Sequence, residues 1–236
     1  MTHLMLVHGA WHGPWCWERL LPLVQRPGLT CHAPCLAGLA ERQAEASDLD
    51  THVREVGALI EAADLHDVVL VGHSYAGIVV SVVAAAMPGR VRTLVYLDSF
   101  VPEPDRCLYD LIDPAEAAKL RAVAAQRGGL IPPFPPAAYG VHDPADAAWL
   151  QARLTPMPGA CFEQPARFDA RRLAAVRPVY VRATHGGVPD RFARFARRFE
   201  GRDDAGYHEV PSGHDMMLTH APQVAALLLA ECTPGA

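Results

Sequence analysis

Short apolar runs alternate along this chain with longer segments of helical periodicity. Leu4–Val7, Leu29–Ala33, Val68–Val71, Val91–Leu97, Pro178–Val181 and Tyr207–Val210 are each strand-sized. Runs of this length, rich in Val, Leu and Tyr and bounded by turn residues, predict strands. Between them, Trp17–Val24 reads as a short helix. Apolar residues at Leu49, Val53, Val56, Ile60 and Ala63 recur at one-face helical spacing, with Asp48 or Asp50 as the cap. Ile78–Ala86 is apolar on nearly every side and predicts a buried helix that stops near Met87-Pro88-Gly89. Phe192, Phe195 and Phe199, with arginines between them, predict a helix laid on a sheet by its aromatic face. Pro222–Glu231 predicts the last helix. Strands and helices in alternation imply an α/β fold, with a mainly parallel sheet covered on both faces.

The texture changes between residues 102 and 177. Prolines cluster at Pro132, Pro133, Pro135 and Pro136. Helical pieces fit Pro114–Arg127 and Pro144–Leu154, and strand signals are absent. This segment reads as a small helical cap inserted into a core made of residues 1–101 and 178–236. Phe134, Tyr139, Trp149, Met157 and Phe162 give the cap an apolar underside. Of these, Phe134, Tyr139, Trp149 and Phe162 are candidate substrate contacts.

Composition narrows the function classes. The chain has 236 residues, half of them hydrophobic and 20% charged, with a formal net charge of -5. That supports one globular core. No basic block suggests a nucleic-acid partner, and no apolar run has membrane-spanning length. The N-terminal segment lacks the pattern of a secretion signal, so a cytoplasmic location is expected. Six cysteines are scattered without a C-x-x-C pair, which predicts free thiols and no metal site. The oligomeric state stays open, a homodimer included.

The candidate chemistry centres on Gly72-His73-Ser74-Tyr75-Ala76-Gly77, set between a strand and a buried helix. A serine at such a turn is forced into strained backbone geometry with its hydroxyl exposed, which suits a nucleophile. Strand and helix nearly touch there, so small residues are needed around it. Gly72 meets that need, Ala76 stands where glycine is usual, and Gly77 comes one place late. The Gly-rich loop His8–Trp17 follows the first strand. Its Ala10 N–H, with the Tyr75 N–H, is the expected oxyanion hole, each donor being worth about 3 kcal/mol in the transition state. Trp11, near the loop tip, is a candidate pocket residue. His8 and His12 are expected to bond loop backbone, and Trp15 and Trp17 to pack.

A serine nucleophile needs a base, and the base needs an orienting acid. His214 follows the last strand and precedes the final helix, and is preferred over His208 and His220 on chain order. The usual place for the acid, around residues 182–189, contains no carboxylate. Asp98, at the end of the strand after the elbow helix, is the preferred acid. Asp190 is the alternative.

On these residues the chain resembles the α/β-hydrolase superfamily, within it the group of plant methylesterases, the salicylate-binding esterase, hydroxynitrile lyases and bacterial esterase relatives. The matching stretches are Val7–Trp17, Gly72–Gly77 and Gly213–Leu218, with a weaker match at Val188–Phe192. The resemblance implies a cofactor-free Ser–His–Asp enzyme acting on small esters or related acyl compounds. In the plant members the acid aligns with about His185, so it is missing from its usual place here. Bacterial relatives often carry an aspartate like Asp98. The lyases carry a threonine near Ala10 and a lysine right after the histidine. Here the residues are Ala10 and Asp215, which disfavours cyanogenic lyase chemistry. The expected function is a serine carboxylesterase acting on a small apolar or aromatic ester. The alternatives are a lactonase, a carbon–carbon hydrolase or a lyase on the same site, in a bacterial natural-product pathway, or a ligand-binding protein that has lost turnover.

Overall fold

The structure is a computed structural model and describes residues 1–185 and 190–233. Eight strands occur among the described residues: β1 (Thr2–Val7), β2 (Leu29–His32), β3 (Val68–His73), β4 (Val91–Leu97), β5 (Leu130–Ile131), β6 (Met157–Pro158), β7 (Arg177–Ala183) and β8 (Gly206–Val210). Six of them form one sheet in the order β2-β1-β3-β4-β7-β8, and every neighbouring pair is parallel. All six residues of β3 are buried, as are Leu4–Val7 of β1 and most of β4. Central parallel strands lie under helices on both faces, which is why these runs are apolar without alternation.

The helices follow from the apolar periodicities. The chain passes through α1 (Leu21–Val24), α2 (Leu49–Ala62) and α3 (Ala76–Ala86) in its first half. Asp48 caps α2 by accepting from the Thr51 N–H at 2.8 Å. Helix α3 packs on β3 and β4 and against α2, and nine of its eleven residues are buried. The inserted segment carries α4 (Pro114–Gln126), α5 (Pro144–Gln151) and α6 (Ala160–Glu163), and α7 (Ala170–Leu173) precedes β7. Asp113 and Asp143 cap α4 and α5, each with a proline at the first helical position. The chain ends with α8 (Ala193–Ala196), α9 (Met216–Thr219) and α10 (Ala221–Glu231).

Three expectations change. The inserted segment does contain strand: β5 and β6 pair antiparallel over two residues each, too short to leave a pattern in the sequence. The stretch Trp17–Val24 is not one helix: Trp17 ends a 3-10 turn at Pro14–Trp17, and only Leu21–Val24 forms the short α1, with Pro22 in its first turn. The aromatic stretch at 192–199 buries Phe192, Phe195 and Phe199 as expected, but only Ala193–Ala196 is regular helix. All six cysteines are free thiols. No helix among the described residues is long and apolar enough to cross a membrane.

Parallel pairing sends the loops after β1, β3, β4, β7 and β8 to the same end of the sheet. Open sheets of this kind place their ligands outside the carboxyl ends of the strands. Ser74, Asp98 and His214 all lie on these loops.

Candidate active site

Ser74 follows β3 directly and adopts φ +55°, a left-handed backbone that a serine takes only under constraint. Its neighbours supply the constraint. The Ser74 N–H donates to the Leu97 carbonyl at 3.3 Å. The Ser74 carbonyl accepts from the Ser99 hydroxyl at 2.7 Å, the Phe100 N–H at 3.1 Å and the Gly77 N–H at 3.2 Å. Ser99 is pinned in turn by Tyr180 of β7, whose hydroxyl accepts from the Ser99 N–H at 3.0 Å and donates to the Ser99 carbonyl at 2.8 Å.

The glycines explain the spacing. A methyl at Gly72 would sit 2.5 Å from Val80 Cγ2 and 2.7 Å from the Ala76 carbonyl oxygen, so strand and helix leave no room there. A methyl at Gly77 would strike the Ser99 side chain and the Phe100 carbonyl. The glycine one place late therefore serves the contact with the chain leaving β4, and Ala76 is accommodated. Gly9 faces Ser74 from the other side: a methyl there would sit 2.8 Å from Ser74 Cβ.

His214 lies on the loop between β8 and α9. Its Nδ1 is 2.6 Å from Asp98 Oδ2. Asp98 is almost fully buried, at φ +42°, and its other carboxylate oxygen accepts the Ala183 N–H at 3.1 Å. Asp190 is engaged elsewhere: it binds Arg182 at 2.7 Å and caps the Ala193 N–H at 2.9 Å. The described part of the loop after β7 supplies His185, whose N–H donates to the Ser212 carbonyl. Gly186–Pro189, which include the first two residues of the weaker match at 188–192, lie outside the described residues.

Ser74 and His214 line one cavity of about 410 Å³ together with Asp98, Ala10 and Tyr75. No direct hydrogen bond joins the Ser74 hydroxyl to the His214 ring, a contact that commonly tightens only when substrate is bound. The Ala10 and Tyr75 N–H groups have no protein acceptor among the described residues. The residues proposed for the oxyanion hole are thus on the cavity wall with their donors uncommitted.

The remaining cavity wall is mostly apolar, with Asp190 and Arg191 as its charged part. Trp11, Phe134, Tyr139 and Phe162 line it. Trp11 anchors them: its ring N–H donates to the Ile131 carbonyl at 3.0 Å, and its ring meets Phe134 and Phe162 edge-on. Trp149 is a correction. It stands outside the cavity wall, edge-on to Trp15, with the Arg153 guanidinium 4.3 Å from its ring centroid. Helix α5 faces the 3-10 turn at Pro14–Trp17, so an aromatic residue in the inserted segment here serves packing. Leu108, Leu120 and Phe192 also line the cavity, and no motif in the sequence marks them for it. Phe192 stacks flat on the His214 ring at 4.7 Å. Its apolar spacing was a core signal, and nothing local marked it as a neighbour of residue 214.

A second buried group of polar residues lies behind the site. His73 is fully buried and neutral, its pKa held well below the usual histidine value by desolvation and then by His214. Its Nε2 donates to the His214 carbonyl at 3.2 Å. His12 binds the Ala10 carbonyl through Nδ1 at 2.8 Å and Asp215 through Nε2 at 2.9 Å. Desolvation opposes charge on His12, but the Asp215 carboxylate outweighs it and the pKa is raised. The nearest approach to a metal-ligand set among the described residues is His73, His214 and Asp215. Each already holds one partner, His214 Nδ1 bonding Asp98, Asp215 Oδ2 bonding His12 and His73 Nε2 bonding backbone, while His73 Nδ1 and Asp215 Oδ1 have none among the described residues.

Comparison with known proteins agrees with this architecture. Residues 4–227 match the model of the Alpha/beta hydrolase family. A carbendazim hydrolyzing esterase from Nocardioides sp. (strain SG-4G) is 35% identical over 98% of this chain and 99% of its own. An alpha-hydroxynitrile lyase of Arabidopsis thaliana is 33% identical over 43% of this chain and 41% of its own. Among solved structures, an extracellular alpha/beta-hydrolase from a Paenibacillus species, related to tobacco salicylic acid binding protein 2, superposes with TM-score 0.83 at 19% identity. It covers 98% of this chain and 99% of its own, a likeness of fold. Sheet order, strained serine and family match converge: the chain belongs to the alpha/beta hydrolase family.

Proposed function

We propose that the protein is a serine carboxylic ester hydrolase for small, largely apolar or aromatic esters. The observation that carries this is the 2.6 Å bond between Asp98 and the Nδ1 of His214, on a ring that shares a cavity with Ser74. A carboxylate at Nδ1 keeps the proton there and leaves Nε2 basic, as a general base requires. In the proposed reaction the Ser74 hydroxyl attacks the acyl carbon and its proton passes to His214. The carbonyl oxygen becomes an oxyanion bound by the Ala10 and Tyr75 N–H groups. The carbon–oxygen bond to the alcohol breaks, and His214 returns the proton to the leaving oxygen. Water, deprotonated by His214, then attacks the acyl-serine and releases the acid.

The aromatic wall of Trp11, Phe134, Tyr139, Phe162 and Phe192 supports an apolar substrate. The Nocardioides relative supports ester hydrolysis and makes carbendazim a rational member of the test panel. The test is turnover of a panel of aryl and methyl esters by wild type and Ser74→Ala. Turnover by wild type, with loss in the variant and labelling of Ser74 by a fluorophosphonate, is the expected result. Retained turnover in Ser74→Ala would end the reading.

A further inference from the structure

Two histidines flank the Gly9–Ala10 stretch, and neither has a place in the proton relay. Their partners fix their protonation. His8 Nε2 accepts the Leu36 N–H at 3.1 Å, so that nitrogen carries no proton and Nδ1 does. Nδ1 donates to the Gly9 carbonyl at 3.0 Å. Burial pushes the His8 pKa down to about 3, in keeping with a neutral ring. His12 faces two acceptors, the Ala10 carbonyl and the Asp215 carboxylate. Donating to both requires a proton on each nitrogen, hence an imidazolium paired with a carboxylate. The pair is sealed: His12 and Asp215 are 1% and 0% exposed, and Trp15 stacks on the imidazole.

The consequence lies in the peptide planes. In a trans peptide the C=O and the following N–H point in opposite directions. His8 draws the Gly9 carbonyl to itself, which directs the Ala10 N–H the other way. His12 draws the Ala10 carbonyl, which directs the Trp11 N–H the other way. Both N–H groups lack a protein acceptor among the described residues, and both residues line the cavity beside Ser74. Trp11 sits at φ +66°, a backbone held rather than chosen. Asp215 adds a second connection. It directly follows the base, and its N–H donates to the Tyr139 carbonyl of the inserted segment.

We infer that His8, His12 and Asp215 are positioning residues for the oxyanion hole, holding two successive carbonyls turned back so that the Ala10 and Trp11 amides face the reacting carbonyl. Through Asp215 the same clamp ties the oxyanion loop to the loop of His214. This inference rests on the proposed ester hydrolysis.

The experiment compares Asp215→Ala, Asp215→Asn and His12→Phe with wild type, using an ester that wild type turns over and a trifluoromethyl ketone analogue whose serine adduct carries the oxyanion. Loss of one oxyanion donor costs on the order of 10²–10³ in kcat, so Asp215→Ala and His12→Phe are expected to fall by roughly that factor. KM should change little, and ketone affinity should fall in parallel with kcat. Asp215→Asn should recover most of the loss, because its amide can donate to Nε2 of a neutral His12 that still bonds the Ala10 carbonyl. Wild-type kcat and ketone affinity in Asp215→Ala or His12→Phe would overturn the inference, as would a rise in KM alone. If those variants do not fold, nitrogen NMR of the wild-type His12 ring decides: a protonated Nδ1 is expected, and a bare Nδ1 would overturn it. A Ser74→Ala protein that still turns over the ester would sink the hydrolase reading instead, so the two failures are distinguishable.

Discussion

The carboxylate of Asp98 stands 2.6 Å from Nδ1 of His214, and it reaches the ring from the end of β4. Strands β4 and β7 are parallel neighbours, with Leu97 in register with Val181, so a side chain just past either strand can approach the same loop. Here the β4 position carries the carboxylate, while Asp190 after β7 is held by Arg182. Asp98→Asn is expected to lower kcat by about 10³–10⁴-fold, because the amide no longer fixes the productive tautomer. Asp190→Asn should leave kcat of the same order. Steady-state kinetics on both variants, with melting temperatures as a control, checks this. A larger loss in the Asp190 variant would move the acid.

Tyr180 reaches Ser74 through one intermediate residue. Its hydroxyl holds both the N–H and the carbonyl of Ser99, and the Ser99 hydroxyl holds the carbonyl of Ser74. Tyr180→Phe leaves a buried N–H without a partner, which costs about 1–3 kcal/mol. Urea unfolding should show that loss. The fluorophosphonate labelling rate should fall as well, since the strained serine loses part of its scaffold. An unchanged labelling rate would confine Tyr180 to stability.

Trp11 and Trp149 separate substrate contact from packing. Trp11 lines the cavity, so Trp11→Ala should raise KM for aryl esters well above the wild-type value. Trp149 packs on Trp15 and lies under Arg153, so Trp149→Ala should lower stability by about 3–5 kcal/mol at most, less for its partly exposed ring, and leave KM as it was. A KM effect of equal size in both variants would put Trp149 back in the binding wall.

Acid should unfold this protein through its buried neutral histidines. His8 and His73 both have folded pKa values below the ordinary 6.5, His8 at about 3, with burial the leading cause in each. Below pH 6.5 the unfolded chain takes up protons that the folded chain refuses. Each such histidine then lowers stability by about 1.4 kcal/mol per pH unit. His12 has the opposite sign: its raised pKa contributes stability that is fully present below pH 6.5 and lost as pH rises through the folded value. It therefore does not offset the acid loss. Urea midpoints at pH 7.5, 6.5 and 5.5 test the direction, and His8→Gln should flatten the slope. Constant stability across that range would contradict the buried neutral rings.

The local pattern of this chain determined much of what the structure contains. Six apolar runs became the six strands of one parallel sheet, because central strands under helices must be apolar on both faces. Ser74 was legible because a strand–turn–helix crossing demands small residues at places close in the chain. His214 was legible from chain order. What lay outside local pattern was everything decided by distant segments meeting. Two-residue pairing of β5 with β6, the exclusion of Trp149 from the cavity, and Phe192 lying flat on His214 depend on which surfaces the inserted segment happens to face. The sequence already favoured Asp98 over Asp190, but the 2.6 Å approach of Asp98 to His214 and the pairing of Asp190 with Arg182 depend on strand register and tertiary packing. The bond from His12 to Asp215 spans 203 residues, and no spacing in the sequence encodes it. Periodicity reports which side of an element is buried; only the packed structure reports against what.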